Sequence, residues 1–173
     1  MLDGLQTTFL ILFPALVIVA ALSDATSMTI PNWISAILAA AFVPAALAFG
    51  LGWGQIGVSL GVGAAALVAG AAMFALRWIG GGDAKLFAAA MLWLGAAGAV
   101  PFLTWTALAG GALALGLLSA RRLYAESGFS IGRPWIERLL APAGDIPYGV
   151  AIAAGALAAF PRSVLALAGQ AAA

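Results

Sequence analysis

The chain has 173 residues, of which 65% are hydrophobic and 8% charged, with a net charge of +1 and a mean hydropathy of +1.13. A soluble domain is about a quarter charged and about half apolar, so this composition predicts a membrane protein. The near-zero charge, without a basic stretch, argues against nucleic acid as a partner. Without cysteine or histidine, the chain offers no thiol or imidazole for catalysis or metal binding. We therefore predict no metal and no cofactor.

Six apolar segments are predicted to span the bilayer, whose core of ~30 Å requires ~20 mainly apolar residues per helix. They are residues 5–23, 33–50, 55–78, 84–98, 100–120 and 146–167. Asp3 stands where a signal peptide would carry basic residues, so the first segment is predicted to be a true span. No polar linker divides the chain, which predicts a single all-α bundle of six transmembrane helices, one domain over residues 1–173.

Basic residues are concentrated in alternate connections between these spans. Arg77 and Lys85 flank the connection between spans 3 and 4, and four arginines lie between spans 5 and 6. Because cytoplasmic connections carry the excess of lysine and arginine, we predict that both termini lie outside. Small residues predict close helix contacts, including Gly57 and Gly61 in the GxxxG spacing of span 3.

The segment RWIGGGDAKLF, residues 77–87, places Asp83 directly after three glycines at the boundary between two spans. Glycine allows unusual backbone angles and close approach of another chain segment. The alternative is that Asp83 only caps the next helix, although a cap does not require three glycines.

A second aspartate, Asp24, ends the first span in LSDATSMTIPNW. Its alternative role is that of a turn residue ahead of Pro31, where the next helix begins. The predicted topology places Asp24 and Asp83 on the cytoplasmic side, each about one residue past a helix end. An ionisable group at the edge of a span is by default a functional hypothesis.

Two such carboxylates suit the chemistry of an aspartic peptidase. In a low dielectric the two groups do not easily ionise together. The ionised carboxylate takes a proton from water, and the protonated one donates to the peptide carbonyl and then assists the leaving amine. The two groups titrate as a pair, so the sequence does not assign the base.

The charged residues also allow other interpretations. Lys85 is predicted either to tune the pair or contact the substrate, or to extend to the membrane interface. Asp145, in AGDIPYGVAIAAG, is a rival for a place in the pair, although DIPYG is typical of a turn entering the last span. A small carrier or channel would use two carboxylates as an ion or proton site, but no inverted repeat is apparent. A structural subunit would use both aspartates as caps.

Three motifs together resemble the prepilin peptidases, the type IV leader peptidases among the GxGD intramembrane aspartic proteases. GGGDAKL at residues 80–86 resembles the GxGD signature with its following lysine. The D-x5-IPN pattern of residues 24–32 resembles the first motif of that family, and IPYGVAIAAG at residues 146–155 resembles its last-helix motif. The three motifs occur in the order of the family and extend over nearly the whole chain.

The resemblance implies six spans and a catalytic pair at Asp24 and Asp83. It also implies site-supporting roles for Gly80, Gly81, Gly82, Lys85, Ile30, Pro31 and Asn32. The implied substrates are prepilins and pseudopilins of type IV pilus or type II secretion systems, whose short basic leader stays in the cytoplasm. The implied location is the bacterial inner membrane, with the active site at the cytoplasmic face.

Two departures from the family pattern refine this expectation. Larger members carry a cysteine-containing cytoplasmic region near their own N-terminus. They also methylate the N-terminus that cleavage creates on the substrate. This chain has no cysteine and a short first connector. We therefore predict a peptidase without methyltransferase activity, similar to the short members that serve tight-adherence (Flp-type) pili. The connector ATSMT also lacks the basic residues often found there.

Overall fold

The computed structural model describes residues 3–127, 131–142 and 144–171, and these residues form helices joined by short connections. The helices are α1 (Gly4–Ser27), α2 (Asn32–Ala48), α3 (Trp53–Ala75), α4 (Gly81–Ser127), α5 (Pro134–Leu140), α6 (Tyr148–Ala159) and α7 (Val164–Ala171). Four of the described segments are long and apolar enough to cross a membrane, and α2 is a shorter apolar helix. The predictions of an all-α chain and of a multi-pass membrane protein are confirmed.

Helix α4 folds back on itself at Gly95, where the backbone leaves the helical region with φ 64° and ψ −168°. The rings of Phe87 and Phe102 lie 5.3 Å apart, whereas fifteen residues of straight helix would separate them by about 22 Å. We call residues 81–94 the first limb and residues 96–127 the second limb. The break predicted between residues 98 and 100 thus lies a few residues earlier, at the glycine whose backbone makes the turn.

Replacing Gly95 by alanine is expected to destabilise the fold. Its φ and ψ lie in a region that is essentially restricted to glycine, and occupying it costs other residues about 1–3 kcal/mol. An added Cβ would also lie 3.1 Å from the Ser59 hydroxyl. Thermal unfolding in detergent should show the loss for Gly95→Ala but not for Gly116→Ala, whose Cβ meets nothing within 4 Å. Equal stability of the two variants would contradict this reading of the bend.

Helix α3 packs antiparallel against the first limb through small residues. A Cβ on Gly63 would lie 2.9 Å from Cβ of Leu92, and one on Gly70 would lie 3.1 Å from Cβ of Ala84. The GxxxG pair Gly57 and Gly61 was predicted to make such contacts, and this is wrong, since added Cβ atoms there meet nothing within 4 Å. The buried face of α3 instead includes Gly63 and Gly70, which are seven residues apart and so lie on one side of the helix.

Trp93, on the first limb, joins three helices in the centre of the bundle. It is fully buried, and its indole N–H donates to the carbonyl of Leu38 at 2.7 Å. Its ring stacks on Phe13 of α1 at 5.3 Å and meets Phe42 of α2 edge-on at 6.2 Å. These contacts fix the first limb, and hence its N-terminal residues, relative to α1 and α2.

The last predicted span, residues 146–167, is broken in the structure. Helix α6 ends at Ala159, a 3₁₀ turn follows at Phe160–Arg162, and α7 begins at Val164. Pro161 has no N–H to continue the helical ladder, and the Ser163 hydroxyl accepts the N–H of Ala166 at 3.1 Å, which caps α7. Helix α6 therefore forms a short element whose N-terminus faces α1.

Candidate active site

Asp24 lies inside α1 rather than past its end. The helix continues to Ser27, and Met28, with φ 55°, closes it by donating its N–H to the carbonyl of Asp24 at 2.8 Å. The side chain of Asp24 is 6% exposed. Its Oδ2 accepts the N–H of Gly149, in the first turn of α6, at 2.7 Å. This bond joins residues 125 positions apart and brings α1 to the N-terminus of α6.

Asp83 is the third residue of α4, because the helix begins at Gly81. Its Oδ2 accepts the N–H of Gly80 at 3.2 Å, so the side chain turns back towards the residue that precedes the helix. Its other oxygen, Oδ1, is buried and has no hydrogen-bond partner within the described part of the chain. This oxygen of the carboxylate is therefore available to another group.

The two carboxylates face shared space. A cavity of about 300 Å³ is lined by Asp24 and Asp83 together with Arg77, Asp145 and Tyr148. A second cavity, of about 270 Å³, also touches both aspartates and lies against the α1–α2 connection. Motifs that are far apart along the chain thus come together at one polar site.

The three glycines before Asp83 have different surroundings. A Cβ on Gly80 would lie 2.8 Å from Oδ2 of Asp83, and one on Gly82 would lie 3.0 Å from Cβ of Ile30. Such distances are not tolerated without displacement of the neighbour. Gly81 is less constrained, with the Phe74 ring at 3.4 Å. Two of the glycines therefore give room to the carboxylate and to the α1–α2 connection.

Lys85 and Asn32 bind each other on another side of the first limb. The lysine Nζ donates to the Asn32 side-chain oxygen at 2.8 Å, and both residues line a separate cavity with Ser35 and Ala88. Pro31 precedes the first residue of α2, where its φ of −60° suits a helix start. Lys85 and Asn32 thus join α4 to α2, whereas Ile30 lines a cavity together with both aspartates.

Several site residues were not assigned a role from the sequence. The backbone N–H of Gly149 holds Asp24, and only the similarity of the IPYG segment to a family motif pointed to it. Arg121, 6% exposed, donates from Nε to the carbonyl of Leu139 at 2.8 Å and from Nη2 to the carbonyl of Asp145 at 2.7 Å. Sequence reasoning used Arg121 only for topology, because its partners are backbone atoms far along the chain.

Two helix N-termini lie next to the carboxylates. Asp24 accepts a hydrogen bond from the first turn of α6, and Asp83 lies in the first turn of α4. The N-terminus of a helix carries a partial positive charge that favours a nearby anion. Together with the open oxygen of Asp83, this arrangement can position a water molecule or a peptide group between two carboxylates. Within the described residues, no cluster of three or more acidic residues is placed to hold a metal ion.

The comparisons with known proteins agree with the motifs. A family model described as the type IV leader peptidase family matches residues 11–115, well over half of the chain. The matched range includes Asp24, Asp83 and the three glycines. Comparisons with curated proteins and with solved structures gave no match.

Proposed function

Because the chain belongs to the type IV leader peptidase family and is thus a membrane protease, we propose that it removes the leader of prepilins with an Asp24/Asp83 pair. The observation that carries this proposal is that both carboxylates line the same cavities, Asp24 bound to the N-terminus of α6 and Asp83 in the first turn of α4. The family assignment implies prepilin or pseudopilin substrates.

The proposed reaction is hydrolysis by general acid–base catalysis. One carboxylate, ionised, accepts a proton from a water molecule as the water oxygen bonds to the carbonyl carbon of the scissile peptide. The other, protonated, donates to the carbonyl oxygen. The C–N bond of the resulting tetrahedral intermediate then breaks, and the leaving nitrogen receives a proton from the pair. The carboxylates share this work as one titrating unit.

The length of the first limb supports a site inside the membrane boundary. Residues 81–94 extend for about 21 Å, which is less than the ~30 Å of the hydrocarbon core. In our proposal this helix begins at the cytoplasmic interface or just below it. Asp83 then lies near the depth at which a membrane helix of the substrate leaves the bilayer. In our proposal the leader peptide bond reaches the carboxylates from this interface.

The proposed topology has six passes with both termini outside. In this proposal the fold-back at Gly95 supplies two of them from one helix, the first limb being shorter than a full crossing, and α2, with 17 residues, is at the lower end of the length needed to cross. The basic residues between predicted spans 3 and 4 and between predicted spans 5 and 6 favour a cytoplasmic location of these two connections. In our proposal the active site therefore lies at the cytoplasmic face of a bacterial inner membrane. The α1–α2 connection of four residues favours a Flp-type peptidase without methyltransferase activity.

Cleavage by the purified protein tests the proposal. The full chain is reconstituted in lipid vesicles with a Flp-type prepilin, and leader removal is read by mass spectrometry. We expect a product that begins at the residue after the leader. The carrier or channel alternative predicts instead no cleavage of any prepilin, together with proton or ion flux across the vesicles that depends on the two aspartates.

A further inference from the structure

An apolar groove of about 460 Å³ runs along the second limb of α4 and reaches Asp83, one member of the proposed catalytic pair. Its walls come from both limbs of α4, from α6 and from the end of α3, and include Phe87, Leu103, Ala107, Gly110, Gly111 and Ile152. Asp83, Ile79 and Tyr148 line both this groove and the polar cavity of about 300 Å³. The two spaces therefore adjoin at these three residues.

The groove has the length and the surface of a binding site for a polypeptide segment. Its lining residues on the second limb run from Leu103 to Ala114, which is about 16 Å of helix. Small residues recur at a spacing of four, as Ala107 with Gly111 and as Gly110 with Ala114. Such pairs allow another helix backbone to approach closely within a membrane.

We propose that this groove receives the apolar segment that follows the scissile bond of the substrate, and that Gly110 and Gly111 determine how bulky its side chains can be. This inference rests on the proposed peptidase function. The glycines are suited to this role because neither supports the fold on that side. A Cβ on Gly111 meets nothing within 4 Å, and one on Gly110 meets only Ala151 at an ordinary 3.6 Å.

The contact of the groove with Asp83 favours a polypeptide over a lipid chain as the occupant. The Oδ1 atom of Asp83 has no hydrogen-bond partner among the described residues, and a hydrocarbon tail offers none. A peptide segment in the groove brings its own N–H and C=O groups to this carboxylate.

Filling the groove tests the inference. We expect Gly111→Phe to slow cleavage of a prepilin with large apolar residues after the scissile bond by about tenfold or more, because a phenyl ring takes the space that the substrate requires. Gly116→Phe is the matched control, since Gly116 is also exposed on the second limb with no atom within 4 Å of its Cβ but does not line the groove. A prepilin whose large apolar residues are replaced by alanine should restore most of the rate to Gly111→Phe.

Crosslinking provides a readout that is independent of catalysis. The chain has no cysteine, so Gly111→Cys introduces a single thiol. In an Asp24→Asn background, it should form a disulfide with a cysteine placed in the apolar segment of the prepilin, and Gly116→Cys should not.

The outcomes separate the two levels of the proposal. Equal rates for Gly111→Phe, Gly116→Phe and the unsubstituted protein, or equal crosslinking at both positions, would overturn the groove assignment and leave the peptidase function standing. Loss of bound lipid in Gly111→Phe with unchanged cleavage would identify a lipid as the occupant and also overturn it. Failure of the unsubstituted protein to cleave any prepilin would remove the proposed function and this inference with it.

Discussion

Asp24→Asn and Asp83→Asn should each lower the rate of prepilin cleavage by about 10²- to 10⁴-fold, the usual contribution of general acid–base catalysis. An asparagine keeps the size of the side chain and its oxygen still accepts a hydrogen bond, so Gly149 and Gly80 retain their partners. The change removes the negative charge and the ability to exchange a proton. Cleavage is measured by mass spectrometry at matched amounts of folded protein.

The same substitutions distinguish catalysis from helix capping. Asparagine caps a helix about as well as aspartate, so two purely structural caps would leave cleavage nearly unchanged in both variants. Asp145→Asn is the natural comparison, because Asp145 lines the same cavity but is held through its backbone carbonyl by Arg121. We expect it to cleave at close to the normal rate. Loss of cleavage in Asp145→Asn with activity retained in either of the other variants would mean that the pair is assigned wrongly.

Gly149→Ala is expected to reduce cleavage by about 10²-fold, the loss associated with displacing a catalytic group by about 1 Å. The added Cβ would lie 2.8 Å from Oδ2 of Asp24 and 2.7 Å from Cδ1 of Ile30. The carboxylate must therefore move away from the N–H that holds it. The same crowding should cost about 1–3 kcal/mol in the free energy of unfolding.

Gly63→Ala serves as the control of matched steric severity. Its Cβ would lie 2.9 Å from Cβ of Leu92, at the contact between α3 and the first limb and away from both aspartates. We expect a similar loss of thermal stability in detergent, with the cleavage rate per folded molecule retained. If both glycine variants lost activity in proportion to their stability, Gly149 would be a packing residue and not a positioning residue for Asp24.

Much of the fold followed from local properties of the sequence. Hydropathy and helix length predicted the first three apolar helices with ends shifted by a few residues, whereas the last predicted span is divided into α6 and α7. Asp24, Asp83 and the glycines before Asp83 stood out because charge is rare in this chain and glycine runs are conspicuous. The family resemblance of those segments agrees with the match over residues 11–115.

Other features depended on which helix faces meet, and these were not readable in advance. Many glycines are candidates for the turn within α4, and only the packing of Phe87 on Phe102 and of Ser59 at Gly95 selects one. Gly57 and Gly61 have the spacing of a helix contact but lie off the buried face of α3. Residue spacing indicates which residues share a face of a helix, but not which face another helix covers.

The sequence by itself determined that this protein lies in a membrane, that it is helical, and that two aspartates are placed at helix boundaries. These are consequences of composition and local order, since lipid excludes charge and each helix satisfies its own backbone. Only the tertiary structure decided that α6 presents the Gly149 N–H to Asp24, that Lys85 pairs with Asn32 outside the carboxylate cavity, and that a groove leads to Asp83. Those contacts join residues far apart in the chain, and their distances are set by how the helices pack.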